Sequence, residues 1–323
     1  MNIIKRYLSR RILLVVLAAG LLNVSGIAFA NPIKVALVLP GSITDKSWNQ
    51  AGYEGLMRVK EELGVEVAYS EKVAQPDQAE ALADYARRGY NVVAGHGGEF
   101  QEAANRVADR YPDTIFIVHN GVEPDGKNVA ITEFNYGQFG YILGYMAGKM
   151  TKVEKTGFIG ASKVKSHIAL IESYTNGFKS VHPNGEVITA WTNDWDDIAK
   201  GKEAALSQIS SGADVIFPTQ DNASVGSLQA LRDKKVWGFG LWYDAIVDWP
   251  DTVLQSAIFD IRSVMVAYAQ RAKTEGLKGV TYSYDLNTPG QARMGTFHNA
   301  VPADLVAEVE GLISKMKSGE FKP

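Results

Sequence analysis

From residue 33 onward the chain alternates short, β-branched apolar runs with longer stretches whose apolar positions recur at helical spacing. Positions 33–39 form a near-continuous apolar run, the mark of a strand covered on both faces. Positions 48–63 carry apolar residues at a period near 3.6 and end at Gly64. Further strands are expected at 65–69, 91–94 and 114–119, with helices at 75–88 and 101–110 between them. A crossing near 131–135 is followed by the same rhythm, with helices at 139–150, 167–180, 199–211 and 225–234 and strands at 156–159, 187–191, 215–218 and 236–240. Helices at 263–275 and 302–318 close the pattern. Strand and helix in alternation demand parallel pairing with helices on both sheet faces, so the fold class is α/β with two successive open sheets. No Pro/Gly-rich linker separates the halves, which points to short strands crossing between two lobes that hinge.

The first thirty residues follow a different rule. Lys5, Arg6, Arg10 and Arg11 precede an apolar run at 12–22, and Ala28-Phe29-Ala30 supplies small residues for cleavage after Ala30. The run is shorter than the roughly 20 residues that span a bilayer, so a secretory leader and a periplasmic address are expected. Ser9-Arg10-Arg11-Ile12-Leu13-Leu14 partly resembles a twin-arginine signal. With no cysteine in the chain there is no disulfide, no thiolate nucleophile and no attachment point for a lipid anchor. The whole chain has formal charge −3, and the leader carries four positive and no negative charges, so the remainder stands at −7. That balance argues against nucleic acid and anionic lipid as partners. Without its leader the chain of 323 residues is still longer than one core usually organises, so two domains are expected.

In open parallel sheets the ligand crevice lies beyond the carboxyl ends of the strands. The loops expected there are aromatic and acidic: Trp48, Phe100, Trp195, Trp242 and Tyr243 stand with Asp45, Asn49, Asn120, Asp221, Asn222 and Asp244. Flat rings with a few carboxylates and amides suit a planar heterocycle or an organic cation, because stacking supplies affinity and hydrogen bonds set orientation. Each tryptophan taken alone is as readily explained as a cover for the end of a core.

Catalytic patterns are missing. The five histidines (His96, His119, His167, His182 and His298) are scattered, and no HExxH, Gly-x-Ser-x-Gly or Walker loop occurs. His96-Gly97-Gly98-Glu99 is a weak metal signal, and Asp196-Asp197 sits at a helix start, where capping explains it. Neither an enzyme nor a cofactor is expected.

Asp45-Lys46-Ser47-Trp48-Asn49-Gln50, followed by Gly52-Tyr53-Glu54-Gly55, resembles the basic membrane protein family of ABC-transporter binding proteins, which commonly reads Asp-Lys-Ser-Phe-Asn-Gln there. The likeness continues in order through 141–147, Met150-Thr151-Lys152, Gly157-Phe158-Ile159-Gly160, Asn176-Gly177-Phe178, Asp197-Ile198-Ala199-Lys200-Gly201-Lys202 and 212–217. The resemblance implies a class I periplasmic binding fold, two Rossmann-like lobes joined by a three-strand hinge. Residues 31–132 with 259–285 would form one lobe, and 133–258 with 286–323 the other. It also implies a receptor for a small molecule that serves an ABC permease in the inner membrane, or alternatively feeds a chemosensory or regulatory system; a monomer is the default expected of a diffusing receptor.

Purine nucleosides are the ligand group the resemblance implies, with the base sandwiched between Trp48 and Trp195 and approached by Asn49 and Asn120. The chain departs from the pattern where the ribose would be held. The family's Gly-Val-Asp appears as Gly240-Leu241-Trp242, its Ser-Ala-Leu-Lys as Ser256-Ala257-Ile258-Phe259, and a Gly-Gly turn as Asp221-Asn222. Two ribose partners are thus replaced by rings, and buried hydroxyls without partners cost a few kcal/mol each. A free purine base or a related compact heteroaromatic is the expected ligand, with a cationic or methylated amine or a vitamin-type compound as the alternative.

Overall fold

The structure, a computed structural model, describes residues 32–45 and 48–323; the leader and its cleavage site lie outside the described residues. The first sheet is built from β1 (Lys34–Val38), β2 (Glu66–Ser70), β3 (Val92–Gly95), β4 (Ile115–His119), β5 (Val129–Phe134) and β11 (Thr281–Tyr284). Its order is β11-β5-β4-β3-β1-β2, and every pair is parallel. The second sheet contains β6 (Lys155–Gly160), β7 (Glu186–Trp191), β8 (Val215–Pro218), β9 (Trp237–Leu241), β10 (Val253–Phe259) and β12 (Ala292–Met294), in the order β12-β10-β9-β8-β6-β7. Here β12 runs antiparallel to β10 while the other pairs are parallel.

Both faces of each sheet are covered, which is why β1, β3, β4 and β8 are buried along almost their whole length. On the first sheet, α2 (Gln78–Arg87) and α3 (Gln101–Ala108) seal a core containing Ala36, Val38, Val93, Phe116 and Val118. The opposite face packs under α1 (Trp48–Leu63) and α8 (Ile261–Thr274). On the second sheet, α6 (Ile198–Ser210) and α7 (Ala223–Lys234) cover one face, and α4 (Tyr136–Met150), α5 (Lys165–Val181) and α9 (Ala303–Ser318) stack on the other. Helices α4 and α5 approach closely because glycine lines the contact: a Cβ at Gly144 would collide with the Tyr174 carbonyl.

The chain passes between the sheets three times, from β5 into α4, from β10 into α8 and from β11 into β12. The apolar core under α1 and α8 continues across these crossings through Phe134, Tyr136 and Phe259 into the second half. Three strands differ from the sequence reading, which placed none at 253–259, 281–284 or 292–294. In β10 the polar pair Gln255-Ser256 interrupts the apolar run, yet both residues are fully buried. The short β11 and β12 carry mixed residues and take their conformation from the strands they border.

Candidate functional site

The carboxyl ends of β8 and β9, the start of α1 and the start of α8 converge on a cavity of about 390 Å³. Six of the expected residues line it: Trp48, Asp221, Asn222, Trp242, Tyr243 and Phe259. Trp48 comes from the first half and Trp242 from the second, and their rings meet at 5.5 Å between centroids with planes tilted by 44°. Trp242 in turn packs edge-on against Phe259 at 5.8 Å, and Phe259 is enclosed by Phe134, Tyr136 and Phe139. The wall is therefore one continuous set of rings running from lobe to lobe through the crossings. Tyr243 and Asp248 stand at the rim beside Asp221, and the cationic group among the described lining residues is Arg262, whose Nε donates to Glu54 at 2.6 Å.

Trp242 is held at φ +74°, a left-handed conformation unusual for so large a side chain. Its indole Nε1 is buried and has no hydrogen-bond partner among the described residues. Buried donors normally find partners, so this one stands out. Gln220, at the same end of β8, also keeps a buried Nε2 without a partner among the described residues.

The other expected residues lie elsewhere. Asn120 lines a second cavity of about 340 Å³ with Glu133, Tyr136 and Lys165, and accepts a hydrogen bond from the Tyr136 hydroxyl at 3.1 Å. Its backbone is left-handed, φ +54°, which asparagine tolerates better than most residues. Asp45 and Asn49 brace the entry to α1: Asp45 accepts from the backbone N–H groups of Asn49 and Gln50, and Asn49 donates to Asp45 and accepts from the Gly41 N–H. Phe100 is fully buried in the core under α2 and α3. Asp244 accepts from the Thr296 backbone and hydroxyl.

Trp195 sits edge-on to His167 at 5.0 Å, outside the cavity lining, so the ring that meets Trp48 from the second half is Trp242. The Trp195 turn nonetheless approaches the first half. Asp196 is pushed above its ordinary carboxylate range by partial burial and by the Asp45 carboxylate across the gap. Asp197 caps α6, accepting from Ala199 and Lys200 as its position suggested.

Sequence reasoning read the histidines as scattered and gave them no part in the crevice. His96, at the end of β3, is fully buried, and its imidazole stacks on the Trp48 indole at 4.2 Å and 16°. Its Nδ1 meets Nδ1 of buried His119 at 2.7 Å. His167 is buried as well, donating Nε2–H to the Thr219 carbonyl at 2.8 Å. Burial pushes His96 and His167 down to about 4 and His119 well below its usual value, so all three are neutral at pH 7. The one sequence signal was positional: His96 and His119 both end apolar strands where the crevice opens. Among the described residues no group of three or more His, Cys, Asp or Glu is arranged to hold a metal ion.

Comparison with known proteins places this geometry. The family profile described as ABC transporter substrate-binding protein PnrA-like matches residues 33–318. The chain belongs to the PnrA-like substrate-binding family. The transcriptional activator protein Med of Bacillus subtilis is 30% identical over 290 residues, covering 89% of this chain and 90% of that one. A purine-binding protein of Brucella abortus is 29% identical over 297 residues, covering 90% and 83% respectively. An ABC transporter solute-binding protein structure from Aeropyrum pernix superposes with a TM-score of 0.77 at 20% identity, covering 90% of this chain and 93% of that one.

This PnrA-like protein thus has the class I periplasmic binding fold and is a substrate-binding component of an ABC transporter system rather than an enzyme. Proteins of that kind work outside the inner membrane, and no helix among the described residues is long and apolar enough to cross a membrane.

Proposed function

We propose that this protein is an exported periplasmic receptor that clamps a compact heteroaromatic molecule, a purine base or a close relative, and presents it to an ABC importer. The observation that carries the reading is the cavity walled by Trp48 and Trp242 from opposite halves, with the carboxylates of Asp221 and Asp248 at its edge. Rings supply stacking area, and the polar edge orients a heterocycle. Trp242 and Phe259 fill the corner where a sugar would need polar partners, so a base is favoured over its nucleoside.

Residues 31–132 with 259–285 form one lobe and 133–258 with 286–323 the other, and they hinge at the three crossings. Lys165 on α5 reaches from one lobe to the other, its Nζ meeting the Val122 carbonyl at 3.3 Å. Closure around the guest creates the surface a permease reads. The working form is a monomer, released from its leader after Ala30 and free of a lipid anchor.

A thermal-shift screen with purine bases, nucleosides, pyrimidines, vitamins and small amines tests this, because a tight ligand stabilises the folded state by mass action. Purine bases raise Tm, their nucleosides raise it less, and the ligand is recovered unchanged. A larger shift with nucleosides, or turnover of the compound, refutes the reading.

Two observations favour variants of it. The 30% identity to a protein titled a transcriptional activator favours a receptor that feeds regulation instead of transport. The acidic edge of the cavity, Asp221 and Asp248, favours a cationic heterocycle or methylated amine.

A further inference from the structure

The ring that faces the cavity is held from behind by a buried histidine pair. His96 covers the rear face of the Trp48 indole in a near-parallel stack. Two hydrogen bonds frame the same contact: the indole Nε1–H donates to the His96 carbonyl at 3.3 Å, and His96 Nε2 lies 2.8 Å from the Trp48 carbonyl. A Cβ at Gly52, one turn along α1, would fall 2.5 Å from the imidazole, so glycine is what lets the ring lie there.

These contacts fix the tautomers. A carbonyl only accepts, so His96 Nε2 carries the proton, and in a neutral ring Nδ1 is then a lone pair. His119 must therefore donate Nδ1–H into it across the 2.7 Å contact. His119 Nε2 is left as a buried acceptor without a partner among the described residues, and its ring borders Tyr268 of α8 at 5.8 Å. The chain of contacts thus runs from the cavity wall, through two imidazoles, to the helix that begins at the β10 crossing.

We propose that His96 is a positioning residue for the ligand-facing indole of Trp48, and that His119 holds His96 in the Nε2–H tautomer this requires. The inference rests on Trp48 as the ligand wall and makes the wall's orientation a property of the pair behind it.

The test uses the intact protein, first without ligand. Nitrogen-15 histidine spectra assign His96 as Nε2–H and His119 as Nδ1–H, the signals being identified with His96→Phe and His119→Phe. Near-ultraviolet circular dichroism reports the coupled Trp48 and Trp242 indoles, and Trp48→Phe marks their contribution. His96→Ala reduces that signal and weakens adenine binding about fivefold to twentyfold in calorimetric titration, and His96→Phe, which keeps a ring behind Trp48, recovers part of both. Should His96→Ala not fold, His96→Phe and the tautomer assignment still decide. Wild-type signal and affinity in a folded His96→Ala, or His119 found as Nε2–H, overturns the proposal. Absence of adenine binding by the wild type counts against the purine reading alone, since the dichroism and tautomers are measured without ligand.

Discussion

Replacing Trp242 with aspartate tests why the ligand is a base rather than a nucleoside. The substitution removes ring contacts to Trp48 at 5.5 Å and to Phe259 at 5.8 Å. Aromatic pairs are worth about 0.5–1.5 kcal/mol each, so the fold loses about 1–3 kcal/mol of wall packing. Part returns from the backbone, because at φ +74° a tryptophan is strained where aspartate is tolerated, a difference of about 1 kcal/mol. The variant therefore folds. Its binding changes in opposite directions for two ligands. A flat base loses one wall and weakens by about 5- to 150-fold, on the 1–3 kcal/mol that a stacked ring contributes. A nucleoside gains space and a carboxylate acceptor for its hydroxyls, worth about 1.5–3 kcal/mol, or roughly 10- to 150-fold. Paired calorimetric titrations with adenine and adenosine at pH 7, with urea unfolding to confirm the fold, measure the ratio. A base-to-nucleoside preference that stays within about threefold of wild type refutes the reasoning, because the corner would then not be choosing the ligand.

Three further outcomes follow from the same geometry. Trp48→Ala weakens purine-base binding by about 5- to 150-fold, whereas Trp195→Ala, whose ring braces His167 outside the cavity, stays within about threefold; calorimetry on both separates the roles. Stability falls with acid: His96 and His167 are held near 4 when folded against 6.5 when unfolded, so the unfolded chain binds protons first. Stability is full above about pH 6.5 and drains from there to pH 4 by about 3 kcal/mol per histidine, and His167→Gln flattens the Tm slope in that window. Gly144→Ala forces α4 away from the Tyr174 carbonyl and costs about 1–3 kcal/mol in urea unfolding, with purine affinity unchanged in the folded fraction.

The alternation of strands and helices was legible because most β-runs are covered on both faces and therefore read as uninterrupted apolar segments. Strand β10 escaped because Gln255 and Ser256 sit in its middle, and only the surrounding sheet shows that both are buried. Antiparallel β12 lies at a sheet edge and has no run of its own to announce it. At the site, proximity to strand ends pointed to Trp48, Asp221, Asn222 and Trp242, which line one cavity together with Phe259. It did not distinguish residues that line a crevice from those that build its loops. Phe100 turns back into the core, and Asp45, Asn49 and Asp244 spend their polar atoms on neighbouring residues. The ring that meets Trp48 from the second half was equally hidden, since side-chain direction depends on a left-handed backbone at residue 242 that the residue type itself disfavours. His96 and His119 carry no local motif, and their pairing arises from two strands that flank one another in the first sheet.

A crystal structure of the protein grown with hypoxanthine, adenine or guanine tests the central claim most directly. The account predicts the ring lying against the Trp48 indole at van der Waals distance, inside the cavity bordered by Trp242 and Asp221, with the lobes closed over it. Density for the base on an outer surface, or a closed crevice whose indoles touch no ligand, would contradict it.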